Sequence, residues 1–283
     1  MLPHLCGRSI NRDYSTTVWG VLYQTVPWGV IMPIYFAIYL WTSPITQGGS
    51  SKSLARSLSI DPIDLAVLPI ALTIGFITPT ILAAIPPPLV TTVLQQQFLL
   101  LWQGFPIWTA LCQYFLSKVS LIVRQSSQNT KSSRAETNKL LRRVYAFTLS
   151  VTALVRITTI ILAIAASVRP EFFSSPSREV VGLKTVFLPL SPFSNAKVER
   201  LAEGCLNLLQ HDMYFACGAG VIWATVILRG INPESPCWGS AMKALVLSLL
   251  VGPGGAALAL VWERDERILR VEKGIEGKDG KES

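Results

Sequence analysis

Two ionisable residues stand where charge is costly. Asp212 lies about halfway along one apolar run, in LLQHDMYFACG, and Arg156 about halfway along another, in TALVRITTI. A charged side chain at the centre of a membrane helix costs ~2.5–3.5 kcal/mol on insertion scales, so each calls for a reason. A carboxyl group in an apolar pocket is driven toward its neutral form by desolvation and can then act as a general acid. The similar depth of the two residues leaves a second reading open, an intramembrane ion pair that fixes helix order. A close guanidinium would oppose the neutral acid, so the readings make opposite predictions for the protonation of Asp212.

Around the acid sit Gln210, His211 and Tyr214. Glu203, Asn207, Gln210 and Tyr214 share one helical face at spacings of four, three and four, while Asp212 falls about 200° round from Gln210 and points elsewhere. Hydrogen bonding between helices and contact with a ligand are equally open for this stripe. His211 either relays a proton or is a satisfied packing residue. A second candidate pocket is WQGFP, where Gly104 and Pro106 interrupt a helix beside Trp102, Gln103, Phe105 and Trp108. An electron-rich ring there can stabilise a cation, although a kinked packing helix would look the same. Gln24, in LYQTVPWG, raises the same question more weakly. Asp61 and Asp64, in IDPIDL, read instead as a helix N-terminus, with Asp61 as cap, Pro62 as first helical residue and Asp64 in the first turn.

The elements that must carry these residues are transmembrane helices. Half of the residues are hydrophobic and 15% are charged, and mean hydropathy is positive. No Asp, Glu, Lys or Arg occurs from Leu65 to Ser117 or from Tyr14 to Ser51. About 20 such residues already span a bilayer, and without period-two alternation they must be helical. The expected fold is an all-α, polytopic transmembrane bundle with about six spans, near residues 18–41, 64–85, 93–123, 144–168, 201–228 and 240–262. These form a single domain over 1–262, followed by a polar, solvated tail over 263–283. The apolar piece Val180 to Leu190 is too short to cross. Pro86, Pro87 and Pro88 end the second span, and the GPGG sequence at Gly252 to Gly255 should bend the sixth.

The net charge of +8 sits in short connections, above all between Arg124 and Arg143, where Lys131, Arg134, Lys139 and Arg142 lie. That pattern is topological, places this loop in the cytosol and argues against a nucleic-acid partner. Arg8, before the first span, gives little support to the resulting orientation. The start of the chain, with His4 and Cys6, lacks the pattern of a cleaved signal peptide. The five cysteines show no paired spacing and no metal-like relation to His4 or His211, so no metal site is expected. No internal repeat is visible.

The segments LYQTVPWGVIMPIYFAIYLWTSP, LPIALTIGFITPTILAAIPPP, LWQGFPIW and LLQHDMYFACGAGVIWA, taken in order, resemble the fungal membrane-bound terpene cyclases typified by the ascofuranone-pathway enzyme. That family has relatives in indole-diterpene and other meroterpenoid clusters. The similarity runs from about Thr17 to Trp262; members tend to carry further spans before the segment that begins here at Asn11, so the resemblance implies a short form. The resemblance implies protonation of an epoxide or alkene on a prenyl chain, cation cyclisation, and loss of a proton or capture by a hydroxyl. Asp212 would then be the proton donor, and Trp102, Gln103, Gln24, Trp108 and Tyr214 would contact substrate. Arg156 and His211 would tune the acid. It implies neither cofactor nor metal, since protonation rather than diphosphate departure starts the reaction. The implied partners are the bilayer, a hydrophobic prenylated substrate and an upstream epoxidase or prenyltransferase, and the implied location is the endoplasmic reticulum. The competing class is a small-molecule transporter or a non-catalytic membrane partner, because broken helices with polar groups at midplane also bind transported ligands.

Overall fold

The computed structural model describes residues 10–43, 60–126, 133–173, 181–194, 200–231 and 237–279, and every regular element among them is helical. His4, Cys6, Arg8, Lys131 and residues 280–283 lie outside the described residues. Five helices are long and apolar enough to cross a bilayer: Pro62–Ala83, Phe105–Arg124, Arg134–Val168, Leu201–Gly230 and Trp238–Val271. A sixth apolar helix, Trp28–Thr42, is shorter. The six apolar runs of the sequence therefore all fold as helix, and the protein is a polytopic all-α membrane protein.

Helix boundaries follow local chemistry. The run expected to be one helix over 18–41 is two, α1 (Ile10–Thr25) and α2 (Trp28–Thr42), because Pro27 adopts an extended ψ of 134° and has no N–H to continue the ladder. Asp61 caps α3 (Pro62–Leu72), accepting from the Ile63 N–H at 2.9 Å, with Pro62 first and Asp64 in the first turn as the sequence predicts. A π-turn over Thr73–Ile77 joins α3 to α4 (Thr78–Ala83). The third run breaks at Gly104 into α5 (Thr92–Gln103) and α6 (Phe105–Ser126). In α7 (Arg134–Val168) the helix takes up Arg134, Lys139, Arg142 and Arg143, so much of the stretch expected as loop is helical. A short α8 (Leu183–Phe187), a long α9 (Leu201–Gly230) and α10 (Cys237–Asp279) follow.

Helix α10 is not one rod. Lys243 and Glu263 form an ion pair although 20 positions separate them. In a straight helix they would stand about 30 Å apart, beyond the reach of two side chains. The chain turns back at Gly252, whose φ of 80° and ψ of 160° are open to glycine alone, and Pro253 starts the second arm. The first arm, 237–251, rises about 22 Å, short of the ~30 Å hydrocarbon core. The sixth span is thus sharply folded where a bend was expected. Beyond it, the tail expected to be polar and solvated is helical through Asp279. Arg264 and Asp265 are only 2% and 1% exposed, and Ile268 and Leu269 are buried.

The chain expected to be one domain packs as two compact units: residues 1–26, 48–148 and 265–283 form the first, and 27–47 with 149–264 the second. In the first, Gln113 Nε2 donates to the Asp64 carbonyl at 2.9 Å and the Ser117 hydroxyl to Asp64 Oδ1 at 2.6 Å, which ties α6 to the start of α3. Buried Tyr145 donates to Asp265 Oδ2 at 2.5 Å, and Arg142 grips Glu266 through two hydrogen bonds of 2.5 and 2.8 Å, so the end of α10 is held by charge and hydrogen bonding. Gly75, in the π-turn, lies against the α6 backbone, where an added Cβ would fall 2.5 Å from Cα and N of Thr109. Backbone cannot swing aside. Gly75→Ala is expected to destabilise the protein by ~1–3 kcal/mol through overpacking. Gly218→Ala on α9, which meets nothing within 4 Å, should be neutral or slightly stabilising. Thermal unfolding of the two variants in detergent checks both.

In the second unit α2 and α9 run parallel. Gly29 lies beside Asp212, Phe36 beside Gly220 and Tyr39 beside Trp223, at a near-constant offset in sequence. Small residues, Ala216, Gly220 and Ala224, are buried along α9, which lets the two backbones approach as membrane helices do. Gly220 leaves room for the Phe36 ring, which would stand 3.4 Å from an added Cβ.

Candidate functional site

One face of α9 is spent on the segment that cannot cross. Gln210, 6% exposed, donates to the carbonyls of Thr185 at 2.6 Å and Val186 at 2.9 Å, and the Tyr214 hydroxyl donates to that of Phe187 at 2.8 Å. Asn207 Oδ1 accepts from the Leu190 N–H, and His211 Nε2 lies 2.9 Å from the Leu190 carbonyl, a contact that requires the proton on Nε2. The last carbonyls of a helix as short as α8 have no partners of their own, and hydrocarbon would supply none. Hydrogen bonding between segments therefore accounts for Asn207, Gln210 and Tyr214 of the stripe, and His211 is committed to the same segment.

Asp212 points to the other side. Its Oδ1 accepts the Gly29 N–H at 2.6 Å, in the first turn of α2. The cap position of α2 is Pro27, which has no side-chain cap, so a carboxyl group from the neighbouring helix takes that role. A helix N-terminus presents unpaired N–H groups and partial positive charge, both complementary to this oxygen. Oδ2 has no hydrogen-bond partner among the described residues, and Asp212 is half-buried. Two readings of Asp212 were open from the sequence, and neither included Gly29. The available signal was a proline at a helix start with no capping residue beside it.

Arg156 does not meet Asp212, and the two form no ion pair. The guanidinium lies instead 4.6 Å from the centroid of the Phe187 ring, and its Nε is buried without a hydrogen-bond partner. Its stem packs at the reversal of α10, where a Cβ on Gly252 would stand 3.7 Å from Arg156 Cδ. An aromatic group at the far end of the α2–α9 pair was not read from the sequence. Trp223 stacks on Phe36 at 4.8 Å and meets Tyr39 edge-on at 5.2 Å, with its Nε1 buried and unpaired. Their spacing on two separate helices leaves no local signature.

The remaining sequence candidates belong to the first unit. Trp102 donates to Thr80 Oγ1 at 3.1 Å and stands 5.8 Å from Phe105, which also meets Phe76 at 4.7 Å and Tyr23 at 6.1 Å. Trp108 folds back so that its Nε1 donates to the Leu101 carbonyl at 2.9 Å, across the Gly104 break. The break is thereby filled by an indole, which would lie 2.5 Å from a Cβ on Gly104. Gln103 is exposed and Gln24 half-buried, and neither makes a side-chain hydrogen bond among the described residues. Asp212, His211, Tyr214 and Arg156 thus belong to the second unit, and Gln24, Trp102, Gln103 and Trp108 to the first.

The family described as CtvD domain matches residues 8–269. Among similar proteins, terpene cyclase ascI of Acremonium egyptiacum is 28% identical over 264 residues, covering 90% of this chain and 64% of that protein. Terpene cyclase ctvD of Aspergillus terreus is 30% identical over 278 residues, covering 92% of this chain and 70% of that one. Terpene cyclase penA of Penicillium crustosum is 23% identical over 269 residues, 93% of this chain and 69% of its own length. The chain therefore spans 64 to 70% of the length of these three relatives. No solved structure gives a significant match.

Proposed function

The chain belongs to the CtvD domain family, and from that premise we propose that it is a membrane terpene cyclase that closes rings on an isoprenoid by protonating it. The supporting observation is the asymmetry of the Asp212 carboxyl group. Oδ1 is fixed by the Gly29 N–H at 2.6 Å, while Oδ2 has no hydrogen-bond partner among the described residues, which leaves it as the oxygen from which a proton would be delivered. The names of the relatives, all terpene cyclases, point the same way.

In the proposed reaction the Oδ2–H bond breaks as the proton passes to an epoxide oxygen or an alkene carbon. The epoxide C–O bond opens as a neighbouring π bond supplies its electron pair to form the new C–C bond, and the positive charge moves along the chain. A final proton loss, or capture by a substrate hydroxyl with loss of its proton, restores the acid, so substrate and product are isomers. The first turn of α2 contributes by stabilising the carboxylate left once the proton has gone, through N–H dipoles already in position. Aromatic faces such as those of Phe36, Tyr39 and Trp223 suit a developing cation better than water would. A lipid-soluble substrate reaches such residues by partitioning, and the proposed place of the chain is the endoplasmic reticulum, beside the epoxidase or prenyltransferase whose product it would take. In the first unit, the group around Phe105 offers a separate apolar wall, to which Trp102 contributes.

Membranes containing the full chain, incubated with an epoxidised farnesyl phenol, test the proposal. The expected result is a cyclised product of unchanged mass. Energy-dependent accumulation of unaltered substrate inside vesicles would support a transporter instead.

A further inference from the structure

Among the described residues no carboxylate pairs with Arg156. Its Nε is buried and unpaired, the guanidinium makes no ion pair or hydrogen bond among the described residues, and the Phe187 ring lies 4.6 Å from it. It sits near the centre of the apolar part of α7, about 18 Å of helix from either end of the 144–168 run, farther than an arginine side chain can snorkel. A guanidinium at that depth is costly unless an anion meets it.

The group is also held in place. Tyr214 and Gln210 anchor the α8 backbone that carries Phe187, and the reversal at Gly252 supports the Arg156 stem from the other side. The Phe187 ring lies 4.6 Å from the guanidinium carbon and Nε is closed off by burial, which leaves the two terminal amino groups as the route to a partner. Together they match two oxygens of one acid.

We propose that Arg156 binds the carboxylate head of an isoprenoid ligand and so orients a prenylated aromatic acid within the membrane. This rests on the cyclase reading and names the class of substrate. The same oxygen chemistry is available from the phosphate of an anionic lipid, but the depth of Arg156 favours an amphiphile whose acidic group enters the apolar layer.

The test measures binding, without turnover, to the full-length protein in phosphatidylcholine nanodiscs. A farnesylated hydroxybenzoic acid and its methyl ester are compared at neutral pH. The acid is expected to bind at least tenfold more tightly than the ester to the wild type. In Arg156→Gln that preference should vanish while ester affinity stays unchanged, and Arg156→Lys should keep part of it. Equal affinity for acid and ester in the wild type overturns the proposal whether or not the variants fold, as does a preference that survives Arg156→Gln. Displacement of the acid by phosphatidate, with no displacement by phosphatidylcholine, would assign the guanidinium to a lipid headgroup and also overturn the substrate reading. Cyclisation of epoxidised ester with no acid preference would leave the cyclase standing and remove this site. Acid preference without any conversion would do the reverse.

Discussion

Replacing Asp212 by asparagine is expected to lower the rate of ring closure by about 10²–10⁴-fold, the range typical of a lost general acid, while the protein accumulates in membranes at its normal level. Asparagine keeps the carbonyl oxygen that accepts the Gly29 N–H and is itself a good cap, so the α2–α9 contact survives and only the acidic proton is lost. Asp212→Ala removes both functions and should cost a further ~1 kcal/mol of stability through the lost cap. Product formation and thermal unfolding measured on the two variants separate the roles. Full activity in the asparagine variant would reduce Asp212 to a cap and remove the proposed proton donor.

A second large effect is expected at Gly252. An L-residue placed at φ 80° and ψ 160° is strained by ~1–3 kcal/mol, and straightening the helix would relieve that strain. Gly252→Val should therefore open the reversal of α10 and pull Lys243 away from Glu263. Cysteines introduced at these two positions should cross-link readily with glycine at 252 and poorly with valine, as read from the mass of the linked peptides. In a straight helix, with the positions about 30 Å apart, no linkage would form even with glycine present. Activity should fall with the cross-link, because the Arg156 stem rests against the turn.

These expectations concern features that the sequence disclosed to different degrees. The bend at GPGG was visible, because glycine and proline act within a turn, yet its angle was not. Only the meeting of Lys243 with Glu263 shows that the arms double back. The cap at Asp61, the break at Gly104 and the stop at Pro86 to Pro88 were legible for the same local reason. Pro27 was not read as a helix boundary, since the apolar residues on both sides formed one continuous run. Beyond Trp262, mixed charge resembled a solvated tail because composition cannot show that Tyr145 and Arg142 stand ready to satisfy Asp265 and Glu266.

For the candidate site, the sequence located costly residues but could not pair them. Depth along a helix placed Asp212 and Arg156 near the middle of their runs, and helical periodicity separated Asp212 from the Gln210 stripe. Whether the acid met the guanidinium depended on which faces α2, α8 and α9 turned to one another. Asp212 went to Gly29, Arg156 to Phe187 and the stripe to the carbonyls of α8. What the sequence alone determined about this protein is its set of apolar helices and most of their ends, since hydropathy, capping and proline act over a few neighbouring residues. The tertiary structure decided which partner, if any, each polar side chain met, because in a medium without water a donor or acceptor can be satisfied only by what packing brings near.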